Sequence, residues 1–212
     1  MGDDYDGTRG HYFDEHPDVA SRPRTYEMPG PHGPLRVTTD TGVFSHGRLD
    51  RGTELLLTHP SVPPLVPGTG DVVDLGCGSG PVALWLAALR PACTVWAVDT
   101  NERALTLTEG NARDNALGNI RTATPSSVPA DLRVAAIVSN PPVRIGKQAL
   151  HTMLDEWMSI LLPGGVVVLV VGRNLGADSL QRWLEECGRP TERLASSGGF
   201  RLLCSRIRTA EG

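Results

Sequence analysis

Nowhere in these 212 residues does an apolar run approach the ~20 residues that a membrane-spanning helix requires, so no span is expected. The opening stretch, M-G-D-D-Y-D-G-T-R-G, is acidic and has no apolar core segment, which argues against a secretory signal. There is no C-x-x-C pair. Cys77, Cys93, Cys187 and Cys204 are scattered, which excludes a cysteine zinc site or a disulfide framework and fits reduced thiols in a cytoplasmic protein. The six histidines share no ligand spacing, so no metal is expected. A cationic excess is missing as well. The net charge of −4 excludes a bulk electrostatic footprint for nucleic acid and leaves room only for a local basic patch. What remains, with 40% hydrophobic and 21% charged residues, is an ordinary globular composition. The length suits one α/β domain with a modest extension.

Punctuation along the chain divides it into a tail (1–10), an N-terminal extension (11–60) and a main domain (61–212), with the tail expected to be mobile. In the extension, R-T-Y-E-M and L-R-V-T-T read as short strands around the turn P-G-P-H-G-P, and a short helix runs from Thr53 to about His59. From Asp71 strands and helices alternate. Strands are expected at 71–75, 94–98, 120–123, 134–139 and 166–171, and helices at 81–90, 101–117, 147–162 and 179–187. The end, E-R-L-A-S then S-G-G then F-R-L-L-C-S-R-I, is a hairpin with a glycine turn. Such alternation implies a parallel sheet with helices on both faces, here closed by an antiparallel hairpin.

Residues 72–80 read V-V-D-L-G-C-G-S-G. An apolar strand ends in an acid, and three alternating glycines then lead into Pro81 at a tolerated first helical position. Alternating glycines allow a tight turn and bring a ligand close to bare amides. A dinucleotide fingerprint would need glycine where Pro81 stands, and a phosphate loop would need a lysine that is not there. An acid at Asp74 would repel a pyrophosphate but suits a ligand carrying positive charge, such as an amine or a sulfonium. Asp99 ends the next strand, nineteen residues after Gly80, where an acid accepts ribose hydroxyls. A cap on the following helix is the simpler alternative for Asp99, although Thr100 and Asn101 could cap equally well.

Residues 139–142, S-N-P-P, follow another apolar strand. Two successive prolines donate no backbone hydrogen bonds and hold a stiff, extended corner. The Asn140 amide oxygen and fixed carbonyls are acceptors suited to an exocyclic amino group, whose lone pair is then turned toward an incoming methyl group.

The glycine stretch resembles motif I, and S-N-P-P motif IV, of the Rossmann-like S-adenosylmethionine-dependent methyltransferases that act on amino groups. T-T-D-T-G-V-F-S-H-G-R-L-D-R-G-T (38–53), N-P-P-V-R-I-G-K (140–147), L-L-P-G-G-V-V-V-L-V-V (161–171), G-A-D-S and G-F-R-L-L narrow the resemblance to the methyltransferase small-domain family. It extends from about Tyr12 to Arg206 and is similar to the short, single-domain branch beside the small-subunit ribosomal RNA guanine-N2 methyltransferases.

The resemblance implies a Rossmann-like α/β fold, a seven-stranded, mostly parallel sheet with a C-terminal antiparallel hairpin. It implies S-adenosylmethionine as cofactor, with Asp74, Gly76, Cys77, Gly78 and Gly80 at its methionine part and Asn140 also among the cofactor-binding residues. Asp99 would hold its ribose, and Thr100 and Ser126 (or Ser127) would lie beside the adenine. Asn140 and Pro141 would be catalytic and hold the target nitrogen, and Asp50 and Thr53 would close over the cofactor. Pro142, Val143, Arg144 and Lys147 would meet substrate, with Val143 standing where relatives often carry an aromatic that stacks on the flipped base. Arg48 and Arg51 are further candidates for phosphate contact. The expected reaction is methyl transfer to an exocyclic amine, foremost guanine N2 of ribosomal RNA, by a cytoplasmic enzyme read as a monomer. The alternatives are a protein glutamine amide or small amine as substrate, or a catalytically silent cofactor-binding module in ribosome assembly.

Overall fold

The computed structural model describes residues 19–207, so the tail at 1–10 and Tyr12 lie outside the described residues. Strands β1 (Arg24–Met28) and β2 (Leu35–Thr39) form an antiparallel ribbon that pairs Arg24 with Thr39 and Met28 with Leu35. Helix α1 (Arg51–Thr58) follows. Then come β3 (Gly70–Leu75), α2 (Pro81–Leu89), β4 (Cys93–Val98), α3 (Glu102–Asp114), β5 (Ile120–Ala123), β6 (Val134–Ser139), α4 (Lys147–Met158), β7 (Leu161–Gly172), α5 (Ala177–Glu186), β8 (Thr191–Ser197) and β9 (Phe200–Arg206).

The seven-stranded sheet runs β5-β4-β3-β6-β7-β9-β8. The first five strands are parallel, and the hairpin β8–β9 joins antiparallel through β9 on β7. The hairpin turns on Gly198 (φ 56°) and Gly199 (φ 85°), both left-handed, as a two-residue turn between twisted strands requires. Successive strand residues feed opposite faces. Val72 packs with Leu56, Leu84 and Leu86 on the α1–α2 side, whereas Val73 packs with Leu154, Leu180 and Leu184 on the α4–α5 side. Each fully buried aliphatic contributes roughly 1.5–3 kcal/mol of transfer free energy. Strand order reverses at β3, which has β4 on one side and β6 on the other. Open α/β sheets bind ligands in the crevice at the strand tips where that reversal occurs.

Several expected boundaries shift: the helix expected at 101–117 ends at Asp114, and the one expected from 179 begins at Ala177. The helix at 147–162 stops at Met158, and the expected breaker Pro163-Gly164-Gly165 lies inside β7 rather than before it. The strand accommodates it as an irregularity, six residues of β7 (Leu161 to Val166) standing against three of β6 (Val134 to Ala136), with Gly164 at φ 78°. The short extension helix begins at Arg51, two residues early, because Asp50 caps it by accepting from the Gly52 and Thr53 amides. At the end of α5, Gly188 (φ 73°) takes the left-handed position, and Arg189 N–H bonds to the Leu184 carbonyl.

Candidate active site

The loop after β3 owes its shape to three glycines. Gly76, Gly78 and Gly80 all have positive φ (75°, 56° and 85°). A Cβ at Gly80 would fall 2.7 Å from Thr108 Cγ2, and one at Gly76 3.2 Å from Pro142 Cδ. Side chains here would thus strain the loop and push it off α3 and off the proline corner. The loop is pinned from below by the Val98 carbonyl, which accepts from both Gly76 and Cys77 amides, and from the side by Asp99 Oδ2, which accepts from Gly78 N–H at 2.9 Å.

Asp74 sits at the floor, 1% exposed, its Oδ2 accepting the Ala83 amide at 2.9 Å in the first turn of α2. Burial pushes its carboxyl up to about 8. The Ala83 hydrogen bond pulls the other way, and the nearby Asp99 carboxylate adds to the rise. Asp99 is raised as well, chiefly by burial and against backbone hydrogen bonds from Asn101, Gly78 and Thr100. The cap of α3 is Asn101, which accepts from Ala104 N–H, so Asp99 is spared that task. Cys77 is buried, and its thiol is raised well above the usual value by burial and the Asp99 and Asp74 carboxylates. All four cysteines are free thiols.

Opposite this loop, β6 ends at Ser139, whose hydroxyl donates to the Leu75 carbonyl and ties the tips of β3 and β6 together. Asn140 follows at once. Its Nδ2 donates to Asp50 Oδ2 and to Thr53 Oγ1, each at 3.0 Å. Between the two motifs lies a cleft with about 400 Å³ of free space, a volume that includes open solvent. Asp74, Gly76, Cys77, Gly78 and Asn140 line it, together with Asp50, Thr53, Tyr26 and Phe44 from the N-terminal extension.

The other sequence-derived candidates lie around this cleft rather than in its lining. Pro141 is buried and Pro142 abuts Gly76. Val143 packs on the α4–α5 apolar cluster. Thr100 is exposed at the tip of β4. Ser126 is exposed in the turn after β5, with its hydroxyl 3.1 Å from Thr124 Oγ1. Arg144 and Lys147 are exposed just beyond the corner. Sequence reading missed Tyr26 and Phe44. Burial holds the Tyr26 phenol well above its usual value, with Asp50 adding to the effect. Phe44 is 50% exposed at the rim, and an exposed aromatic in G-V-F-S is the one local signal that marks it.

The site fits a cationic nucleoside cofactor. It offers a buried carboxyl that pairs with no cation among the described residues, a loop too tight for side chains, and a second acid at the adjoining strand tip. Among the described residues there is no group of three or more potential metal ligands, and no helix is long and apolar enough to cross a membrane.

Comparison with known proteins is consistent with this geometry. The model of the methyltransferase small domain matches residues 34–204. An uncharacterized protein of Bacillus subtilis, YbxB, is 33% identical over 179 residues, covering 83% of this chain and 88% of its own length. Ribosomal RNA small subunit methyltransferase C of Pseudomonas aeruginosa is 34% identical over 194 residues. The match takes in 90% of this chain but 56% of that enzyme, so the chain spans little more than half of that relative. Among solved structures, the T. thermophilus 16S rRNA N2 G1207 methyltransferase, in complex with AdoMet and guanosine, superposes with a TM-score of 0.73 at 25% identity, over 91% of this chain and 52% of that one. The chain belongs to the methyltransferase small-domain family and is an S-adenosylmethionine-dependent methyltransferase.

Proposed function

We propose that this enzyme methylates the exocyclic N2 amine of a guanine in small-subunit ribosomal RNA. The observation that carries the proposal is that Asp74, the glycine loop and Asn140 line one cleft, with Pro142 so close that a Cβ at Gly76 would lie 3.2 Å from it. A similar T. thermophilus enzyme was solved with AdoMet and guanosine, and a Pseudomonas relative is a small-subunit ribosomal RNA methyltransferase.

In this reading Asp74 faces the cationic methionine part of the cofactor, and Asp99 faces the ribose. Asn140 accepts an N–H of the target amine through its amide oxygen, which directs the nitrogen lone pair into the cleft. When bound, S-adenosylmethionine supplies a methyl group whose S–C bond breaks as the amine nitrogen bonds to carbon, the surplus N–H proton passing to water. No strong base is needed. Orientation and preset acceptors supply the rate. Exposed cations follow the cleft-side ends of the elements: Arg48 and Arg51 beside Asp50, Arg144 and Lys147 after the corner, and Arg173 after β7. That local patch suits phosphates despite the net charge of −4. A guanine reaches the cleft only when extruded from its helix.

The test is a map of N2-methylguanine in ribosomal RNA from a deletion strain and its parent, joined to labelled-methyl transfer by the purified enzyme onto small subunits. One lost mark, restored in vitro, is the expected result. An unchanged map with label appearing in protein overturns the RNA reading.

A further inference from the structure

Asn140 is half-buried, and its amide makes two hydrogen bonds, both through Nδ2. One acceptor, Asp50 Oδ2, is a carboxylate oxygen and cannot donate, so the nitrogen end of the amide must face it. Thr53 Oγ1 is fixed in the first turn of α1, and Thr53 is 3% exposed. Asp50 Oδ2 is itself immobilised, because it also accepts the Gly52 and Thr53 amides at 2.8 and 3.0 Å. With both N–H groups claimed, the amide cannot rotate by half a turn, and its oxygen accepts from no described residue in a side chain that lines the cleft.

We infer that Asp50 and Thr53 are positioning residues that clamp the Asn140 amide in its accepting orientation, so that the extension helix sets the geometry of the reacting amine. The inference rests on the proposed methylation of an amino group. A flipped amide would present N–H groups to the target N–H groups, donor against donor, and turn the nitrogen away. The clamp spans ninety residues of sequence and joins α1 to the end of β6. It differs from a role in gripping the cofactor, since it acts through Asn140 and leaves the glycine loop alone.

Asp50→Ser separates cap from clamp, because serine caps a helix about as well as aspartate but is too short to reach Asn140. Thr53→Val removes the hydroxyl at nearly constant volume, and Thr53→Ser keeps it. Steady-state methyl transfer to small subunits is expected to show kcat down roughly 10- to 30-fold in Asp50→Ser and Thr53→Val. Most of the loss should be recovered in Thr53→Ser, and cofactor Kd by calorimetry should stay within about 2-fold in all three. In an Asn140→Ser background, Asp50→Ser should cost nothing further. Parallel loss of cofactor affinity with kcat unchanged overturns the clamp, as does full additivity with Asn140→Ser. The side-chain amide resonances of Asn140, assigned by their disappearance in Asn140→Ser, give a readout independent of substrate. Slow exchange in the wild type that is lost in Asp50→Ser supports the clamp, and equal exchange in both overturns it. If the wild type transfers no methyl group to RNA, the substrate reading fails, and these resonances still decide the clamp.

Discussion

The two walls of the cleft are built in different ways. The cofactor wall comes from one stretch of chain, β3, the glycine loop and the start of α2, with Asp99 added from the next strand. The amine wall is assembled from distant pieces: Asn140 after β6, Asp50 and Thr53 lying 90 and 87 residues earlier, and Tyr26 and Phe44 from the extension. Local construction leaves a motif in the sequence, whereas assembled construction leaves only residues that look ordinary until they meet. It also divides vulnerability. Damage to the first wall should appear as lost cofactor binding, and damage to the second as lost turnover with binding intact.

The largest break in that division is Asn140→Ala. Methyl transfer should fall by roughly 10²–10³, the loss seen when one preorganised hydrogen-bonding group such as an oxyanion-hole donor is removed, while cofactor Kd stays within about 2-fold. Calorimetry beside a labelled-methyl assay checks it, and a matching fall in affinity would merge the two walls into one.

Gly80→Ala tests the other wall. Its Cβ would meet Thr108 at 2.7 Å with φ at 85°, so stability should drop by about 1–3 kcal/mol in urea unfolding, with cofactor affinity down about 10-fold or more. Binding unchanged in this variant would mean that the loop shape is irrelevant to the ligand.

Arg144→Ala and Lys147→Ala should leave cofactor binding alone and weaken RNA binding. Each should lower the slope of log affinity against log salt by about 1 if it meets a phosphate. An unchanged slope would remove these residues from the interface.

A further break concerns pH. The Asp74 carboxyl, ordinarily near 3.8, is pushed up to about 8 by burial. The folded state therefore holds a proton that the unfolded chain has released. The contribution of Asp74 is complete below its unfolded pKa and is lost as pH rises from about 4 toward about 8. Asp74→Asn should flatten that decline in thermal unfolding. A cation beside Asp74 favours its ionised form, so binding of a cationic cofactor should release a proton and tighten as pH rises from about 6 to about 8. Calorimetry in buffers of different ionisation enthalpy reads this directly, and no proton release would place the cation elsewhere.

Much of the fold was legible. The edges of β1, β2, β5 and β6 were readable to the residue, because Pro, Gly and polar clusters bracket them. The α4–β7 junction was not. Pro163-Gly164-Gly165 looks like a break in any local window, and only the pairing of Leu161 and Val166 with β6 on either side of it carries the strand across. Among the candidate site residues, Val143 reads locally as part of the substrate corner, whereas the apolar cluster beneath α4 claims its side chain. Phe44 gave no periodic signal, since it sits in a loop whose position depends on distant anchors: Asn101 Nδ2 donates to the Gly42 carbonyl and Arg103 to that of Thr41.

The sequence alone determined the alternation of strands and helices, the glycine loop with its acid, and the asparagine-proline corner. Each of these depends on backbone freedom or stiffness at neighbouring residues, which side-chain identity dictates directly. Only the tertiary structure decided which way the Asn140 amide points, that Asp74 holds its proton to about 8, and that the extension completes the cleft. Orientation, desolvation and long-range hydrogen bonding arise when segments remote in the chain exclude water together, and no local pattern encodes that.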